Sequence, residues 1–289
     1  PNTTYEFRVK AVNHNGMESA ALALGATSTL ALQPAAPRIR SIFSSSMTVD
    51  WTPVFSQGYS LEASSTNFAS GSVYLASTTN GAAAQLALTG LLANTTYYVK
   101  VGALNHNSAA HYQSAGSSVT LAGQLVGAQI AAVNVGTIRL NWQPKPAGPQ
   151  DLTAEGYLIQ ASTASDFTGT IFSSQTRSLA LSTLTISGLA SGTTYYLRAG
   201  ALNWPDIAHF IFVGSTQTSL LAPGDPLITS VGISSLTVAW ANNNANEGYV
   251  LEASTAENFG GTLSSSRTLD SLSSGLVVFG LAPNTTYYL

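Results

Sequence analysis

The chain has 289 residues, a formal net charge of -3 and only 8% charged residues, against about 25% in an ordinary soluble protein. Ten Lys and Arg set against thirteen Asp and Glu give no basic face, which argues against a nucleic-acid binder. No apolar run reaches the ~20 residues of a membrane helix, so membrane insertion is not expected, and nothing at Pro1 reads as a signal peptide. With no cysteine, disulfides, thiolate metal sites and cysteine nucleophiles are excluded together. The hydrophobic fraction is an ordinary 45%. Ser, Thr, Ala, Gly and Asn therefore stand where charge is missing, which makes a neutral, wet surface with little self-repulsion.

The chain aligns with itself. Pro1-Asn2-Thr3-Thr4-Tyr5 returns as Ala93-Asn94-Thr95-Thr96-Tyr97, Ser191-Gly192-Thr193-Thr194-Tyr195 and Pro283-Asn284-Thr285-Thr286-Tyr287, with the tyrosines 92, 98 and 92 residues apart. Trp51, Trp142 and Trp240 recur at spacings of 91 and 98. Gly58-Tyr59 recurs as Gly156-Tyr157 and Gly248-Tyr249, each followed by a similar run ending in Ala-Ser. A period of about 90–98 residues is too long for a solenoid repeat and right for a small domain.

Within a unit the pattern is that of strands. Met47, Val49 and Trp51 alternate with Thr48 and Asp50; Tyr97, Val99, Val101 and Ala103 alternate with Tyr98, Lys100 and Gly102; Leu236, Val238 and Trp240 alternate with Thr237 and Ala239. Period two with one apolar face predicts half-buried strands. Gly, Ser, Asn and Pro clusters separate the runs, so about seven short strands per unit predict a two-sheet sandwich.

Leu281-Ala282-Pro283-Asn284-Thr285-Thr286-Tyr287 resembles the tyrosine corner of a fibronectin type III module, and a Trp ending the second strand and a Gly-Tyr opening the third resemble its other signatures. The resemblance spans essentially the whole chain and implies an all-β fold of tandem seven-stranded sandwiches set end to end. It implies corner tyrosines at Tyr5, Tyr97, Tyr195 and Tyr287, and core tryptophans at Trp51, Trp142 and Trp240. Ala93 and Ser191 replace the corner proline in two copies, which loosens the preset turn but leaves the tyrosine in place.

Pro- or Gly-bearing breaks at 33–37, 122–124 and 221–226 divide the chain into 1–32, the last two strands of one module; 33–122 and 123–221, two whole modules; and 222–289, the front of another. A sandwich lacking two strands exposes its core and an open edge. Either the chain is a window of a longer one, or neighbouring chains complete each other by strand donation. Pro1–Phe7 and Pro283–Leu289 represent one segment twice, which favours the window.

Asn2, Asn94 and Asn284 fit the N-glycosylation sequon, but Asn and Thr are also wanted in that turn for backbone reasons. His14, His106 and His111 lie in or beside the loops after the sixth strands, with His209 in the third copy. The pair His106 and His111 has no carboxylate or cysteine beside it, so solvated loop histidines are expected rather than a metal site. Trp204, Tyr112 and Phe210 are candidates for a sugar-stacking or partner-binding tip, with packing against the next module as the alternative. Cross-strand pairing of Glu62 with Lys100 is expected to help register.

No nucleophile elbow, phosphate loop or metalloprotease helix occurs, so no catalytic residue and no cofactor are assigned. The expected function is a structural, non-catalytic segment of an extracellular or cell-surface stalk, fibre or filament. Its expected partners are neighbouring modules or copies of itself. The alternative is spacer or glycan- and adhesion-binding modules of a secreted enzyme or adhesin.

Overall fold

The alternation makes strands throughout: the computed structural model describes residues 1–243 and 247–289, and among these lie twenty-one strands and no helix. β1 (Thr4–Val9) and β2 (Leu22–Ser28) form a two-stranded antiparallel sheet. Seven strands follow: β3 (Ala35–Ile42), β4 (Ser46–Thr52), β5 (Tyr59–Ser64), β6 (Val73–Thr78), β7 (Gln85–Thr89), β8 (Thr96–Leu104) and β9 (Ala110–Val119). They make two facing sheets in the orders β3-β4-β7 and β6-β5-β8-β9.

The next seven repeat that order: β10 (Val126–Val133), β11 (Thr137–Gln143), β12 (Gly156–Ser162), β13 (Ile171–Thr176), β14 (Thr183–Ser187), β15 (Thr194–Leu202) and β16 (Ala208–Gln217). Their sheets are β10-β11-β14 and β13-β12-β15-β16. β17 (Gly224–Val231), β18 (Ser235–Ala241), β19 (Tyr249–Ser254), β20 (Leu263–Thr268) and β21 (Gly275–Phe279) give β17-β18-β21 and β19-β20, and Tyr288 bridges Ser254. Even the irregularities recur. The register slips at Phe7/Arg8, Val99/Lys100 and Leu197/Arg198, a β-bulge at one place in three copies.

Each core is the inward face of those alternations. Met47, Val49 and Trp51 pack on Tyr59, Leu61 and Ala63, and on Tyr97, Val99, Val101 and Ala103. Ile138, Leu140 and Trp142 pack likewise on Tyr157, Ile159 and Ala161, and on Tyr195, Leu197, Ala199 and Ala201. Burying each large side chain contributes about 1.5–3 kcal/mol. The Trp and Tyr rings lie 4.9, 5.0 and 5.1 Å apart in the pairs Trp51–Tyr59, Trp142–Tyr157 and Trp240–Tyr249. Gly58 must precede Tyr59 because its φ is +148° and a Cβ there would sit 2.0 Å from the Thr78 carbonyl oxygen.

The second aromatic fixes the corner. Tyr97 Oη accepts the Leu92 amide at 2.9 Å, Tyr195 Oη the Ala190 amide at 3.0 Å, and Tyr287 Oη the Ala282 amide at 2.9 Å. The ring meets Tyr74 edge-on at 5.5 Å in one sandwich and Phe172 at 5.8 Å in the next. Tyr5, by contrast, is 52% exposed on the two-stranded sheet.

Burial pushes the Tyr97 hydroxyl up to about 12 from 10.0. An unfolded chain releases that proton near pH 10 while the folded one holds it. This contribution to stability is therefore full below pH 10 and is lost as pH rises from 10 toward 12. Tyr97→Phe is expected to cost about 1 kcal/mol at neutral pH by freeing the Leu92 amide, and to flatten the alkaline decline. Chemical denaturation of parent and variant on either side of pH 10 checks both.

Candidate functional site

The corner turns the chain into the left-handed region. Asn2, Asn94 and Asn284 have φ of 53°, 48° and 55°, and Gly192, at the same place in the remaining copy, has 60°. Asn and Gly are the residues that accept this conformation readily. The following threonine then bonds back: Thr95 Oγ1 donates to the Ala93 carbonyl at 2.8 Å, and Thr193 Oγ1 to the Ser191 carbonyl at 3.1 Å. Backbone chemistry thus accounts for Asn-Thr-Thr, including the copy where Asn becomes Gly.

Two of these corners lie in joints between successive modules. In the first joint, Asn105 is buried and works from both ends of its amide. Its Oδ1 accepts the Asn107 and Ala109 amides at 3.0 and 2.8 Å, which shapes its own loop. Its Nδ2 donates to the Ser28 and Thr29 carbonyls, both at 3.2 Å, which grips the end of β2. His111 Nδ1 donates to the Ala31 carbonyl at 2.8 Å, and the His106 amide donates to Asn2 Oδ1 at 3.0 Å. A carbonyl can only accept, so the His111 ring carries its proton on Nδ1.

The second joint repeats the clamp 98 residues on. Asn203 Oδ1 accepts the Ile207 amide at 2.9 Å, and its Nδ2 donates to the Thr120 carbonyl at 3.2 Å. His209 Nδ1 donates to the Ala122 carbonyl at 2.7 Å, and its Nε2 lies 3.3 Å from Gln124 Nε2. A neutral ring protonated at Nδ1 lets Nε2 accept from that amide. A third contact comes from the loop between β11 and β12: Gln150 Nε2 donates to the Asn94 carbonyl at 3.0 Å, and Asn94 Nδ2 to Glu155 Oε1 at 3.1 Å.

These contacts correct one expectation and bear on another. His111 and His209 are not solvated loop histidines. They sit on β9 and β16 with Nδ1 committed to the neighbouring module, and among the described residues no three metal-ligating side chains gather. Asn94 is fully buried with its amide nitrogen on Glu155, so a glycan there would displace the joint; Asn2 is buried as well, and Asn284 is exposed.

Tyr112 and Phe210 do not form a tip with Trp204. They lie on β9 and β16 of different modules, and each closes a sandwich around a cation on its own outer sheet face. Lys100 Nζ is 4.0 Å from the Phe68 ring centroid and 4.3 Å from that of Tyr112, and it pairs with Glu62 at 3.0 Å. Arg198 lies 4.1 Å from Phe167 and 4.0 Å from Phe210, and its Nε donates to Gln160 Oε1 at 2.8 Å. Burial first, then the bond to Glu62, raises the Tyr112 hydroxyl above its ordinary pKa. Trp204 alone stays 59% exposed, beside the ion pair of Asp206 with Arg177.

Residues 32–119 match the fibronectin type III domain family. That segment is a fibronectin type III module, and β10–β16 repeat its strand order. By structure it is similar to the FN1-FN3 domains of chicken CNTN1, at 14% identity over 90% of this chain and 92% of that one, with a TM-score of 0.33. It is also similar to a two-domain type III segment of chicken tenascin, at 15% identity over 64% of this chain and 99% of that one, with a TM-score of 0.37. No curated protein matches it.

Missed by the sequence reading were the type III joint residues Asn105, Asn203, His111 and His209, with Gln150 and Glu155. The signal was present: asparagine and histidine recur six residues apart at the 98-residue period. At the corner, Gly192→Asn is expected to change stability by under about 0.5 kcal/mol, whereas Gly192→Val costs roughly 1–2 kcal/mol, because a β-branched residue resists positive φ. Thermal unfolding of the two variants checks the contrast.

Proposed function

We propose that the chain is a structural, non-catalytic segment of an extracellular or cell-surface stalk or fibre, with type III modules spanning 33–122 and 123–221. The observation that carries this reading is the repeated clamp, which in two successive joints holds a module to the one before it through a buried asparagine and a half-buried histidine. A flexible string of binding domains has no use for two matched clamps. An array that must keep its direction over distance does. The neutral Ser- and Thr-rich surface and the family's usual setting support placement outside the cell.

The test is small-angle X-ray scattering of the intact chain. The parent is expected to scatter as an elongated particle of defined maximum dimension, unchanged by added salt because the clamps are largely neutral hydrogen bonds. Asn203→Ala with His209→Ala is expected to broaden the distance distribution while each module stays folded. A parent that already scatters as freely jointed modules would refute the reading.

One observation favours a second reading, glycan or adhesion binding: the exposed Trp204 indole, a stacking surface with one polar N–H. Polysaccharide pull-down lost in Trp204→Ala supports it, and equal binding by the variant removes it.

A further inference from the structure

In each four-stranded sheet the two edge strands are treated differently. β9 and β16 carry the bulge and lie beside the facing sheet. The Leu121 amide donates to the Phe43 carbonyl at 3.1 Å, and the Ser219 amide to the Asn134 carbonyl at 3.2 Å. The opposite edge is straight: among the described residues β6 pairs with β5 alone, β13 with β12 alone, and β20, in a two-stranded sheet, with β19 alone. These three strands read VYLAST, IFSSQT and LSSSRT, with no proline, no register slip and one charge, Arg267. Edges of that kind are the ones a second strand adds to, because bulges, proline and lysine are the usual means of preventing it. The outward residue that opens each strand is apolar and exposed: Val73 at 48%, Ile171 at 42% and Leu263 at 49%.

We infer that this row of edges is a lateral docking surface for a second copy of the chain, paired strand to strand in antiparallel fashion. A row of free amides and carbonyls is complementary to its own copy about a two-fold axis, the commonest symmetry of self-association. The nearly uncharged edges offer no repulsion, and the chain's net charge of -3 adds little. One six-residue edge pairs weakly, but edges recurring in successive modules bind together, and only another array presents the same recurrence. The inference rests on the elongated-array reading for this multiplicity alone.

Sedimentation equilibrium of the intact chain over a wide concentration range tests it. The parent is expected to pass from monomer toward dimer. Val73→Lys/Ile171→Lys/Leu263→Lys, checked for folding by thermal melt, is expected to stay monomeric at ten-fold higher concentration. Met17→Lys/Phe55→Lys/Ile233→Lys adds the same charge at exposed turns away from β6, β13 and β20 and is expected to associate as the parent does. A parent monomeric throughout, an edge variant that still associates, or a turn variant equally impaired each overturns the inference. Scattering of the monomer reports separately on whether the array is elongated, so the two readings fail independently.

Discussion

The tyrosine corner constrains more of this chain than any other single contact. Its hydroxyl takes the amide of the residue five positions upstream, so the chain reverses tightly before entering β8 or β15. The ring fills the core between the sheets, so the turn and the core cannot vary independently. The reversal forces one residue into the left-handed region, where Asn94 or Gly192 is accommodated. Thr120 Oγ1 then ties the end of the last strand to the corner by donating to the Leu92 carbonyl at 2.7 Å, and Thr218 does the same to Ala190 at 2.6 Å. That closure delivers the carbonyls of Thr120 and Ala122 to the next module in a fixed place. The clamp has something rigid to hold because the corner exists.

The clamp is economical in kind. A single asparagine spends its oxygen on its own loop and its nitrogen on the neighbour, so shaping the loop and gripping the module are one event. Alanine at that position leaves buried amides and carbonyls unsatisfied on both sides of the joint, a loss larger than one hydrogen bond. The histidine adds a planar donor whose second nitrogen remains available, and in the second joint Gln124 uses it. Apart from Asn94 with Glu155, the groups are uncharged, in keeping with a chain that has few charges to deploy. Neutral contacts hold a fixed geometry over a range of ionic strength, which ion pairs at a surface do not.

The fold was legible because its markers are large and periodic. Trp51, Tyr59 and Tyr97 stand at alternating positions flanked by apolar residues, and period two leaves one face for them to occupy. The joint was illegible for the opposite reason. Asn105 in a loop reads as a turn former, and it is one; its second task depends on Ser28 and Thr29, more than seventy residues away. His111 and Tyr112 are adjacent and so point to opposite sides of β9, one into the joint and one over Lys100. Reading both as loop-tip residues missed that the strand had already begun. At Asn94 the backbone reading of the motif suffices, and the tripeptide carries no record of what covers its amide.

The uneven period has the same origin. Trp51 and Tyr59 are 8 residues apart, while Trp142 and Tyr157 are 15 apart, so the longer repeat is accounted for in the loop between β11 and β12. Those extra residues bring Gln150 and Glu155 onto the Asn94 corner. Lengthening a surface loop costs little, since closure entropy grows only with the logarithm of its length, whereas a contact to the preceding module restrains a whole domain. The first joint manages without such a loop: there Asn2 takes the His106 amide instead. The same corner asparagine is thus held by a backbone donor in one joint and by a carboxylate in the next. What the repeat preserves is an asparagine or glycine able to make the turn; what covers it is free to differ from module to module.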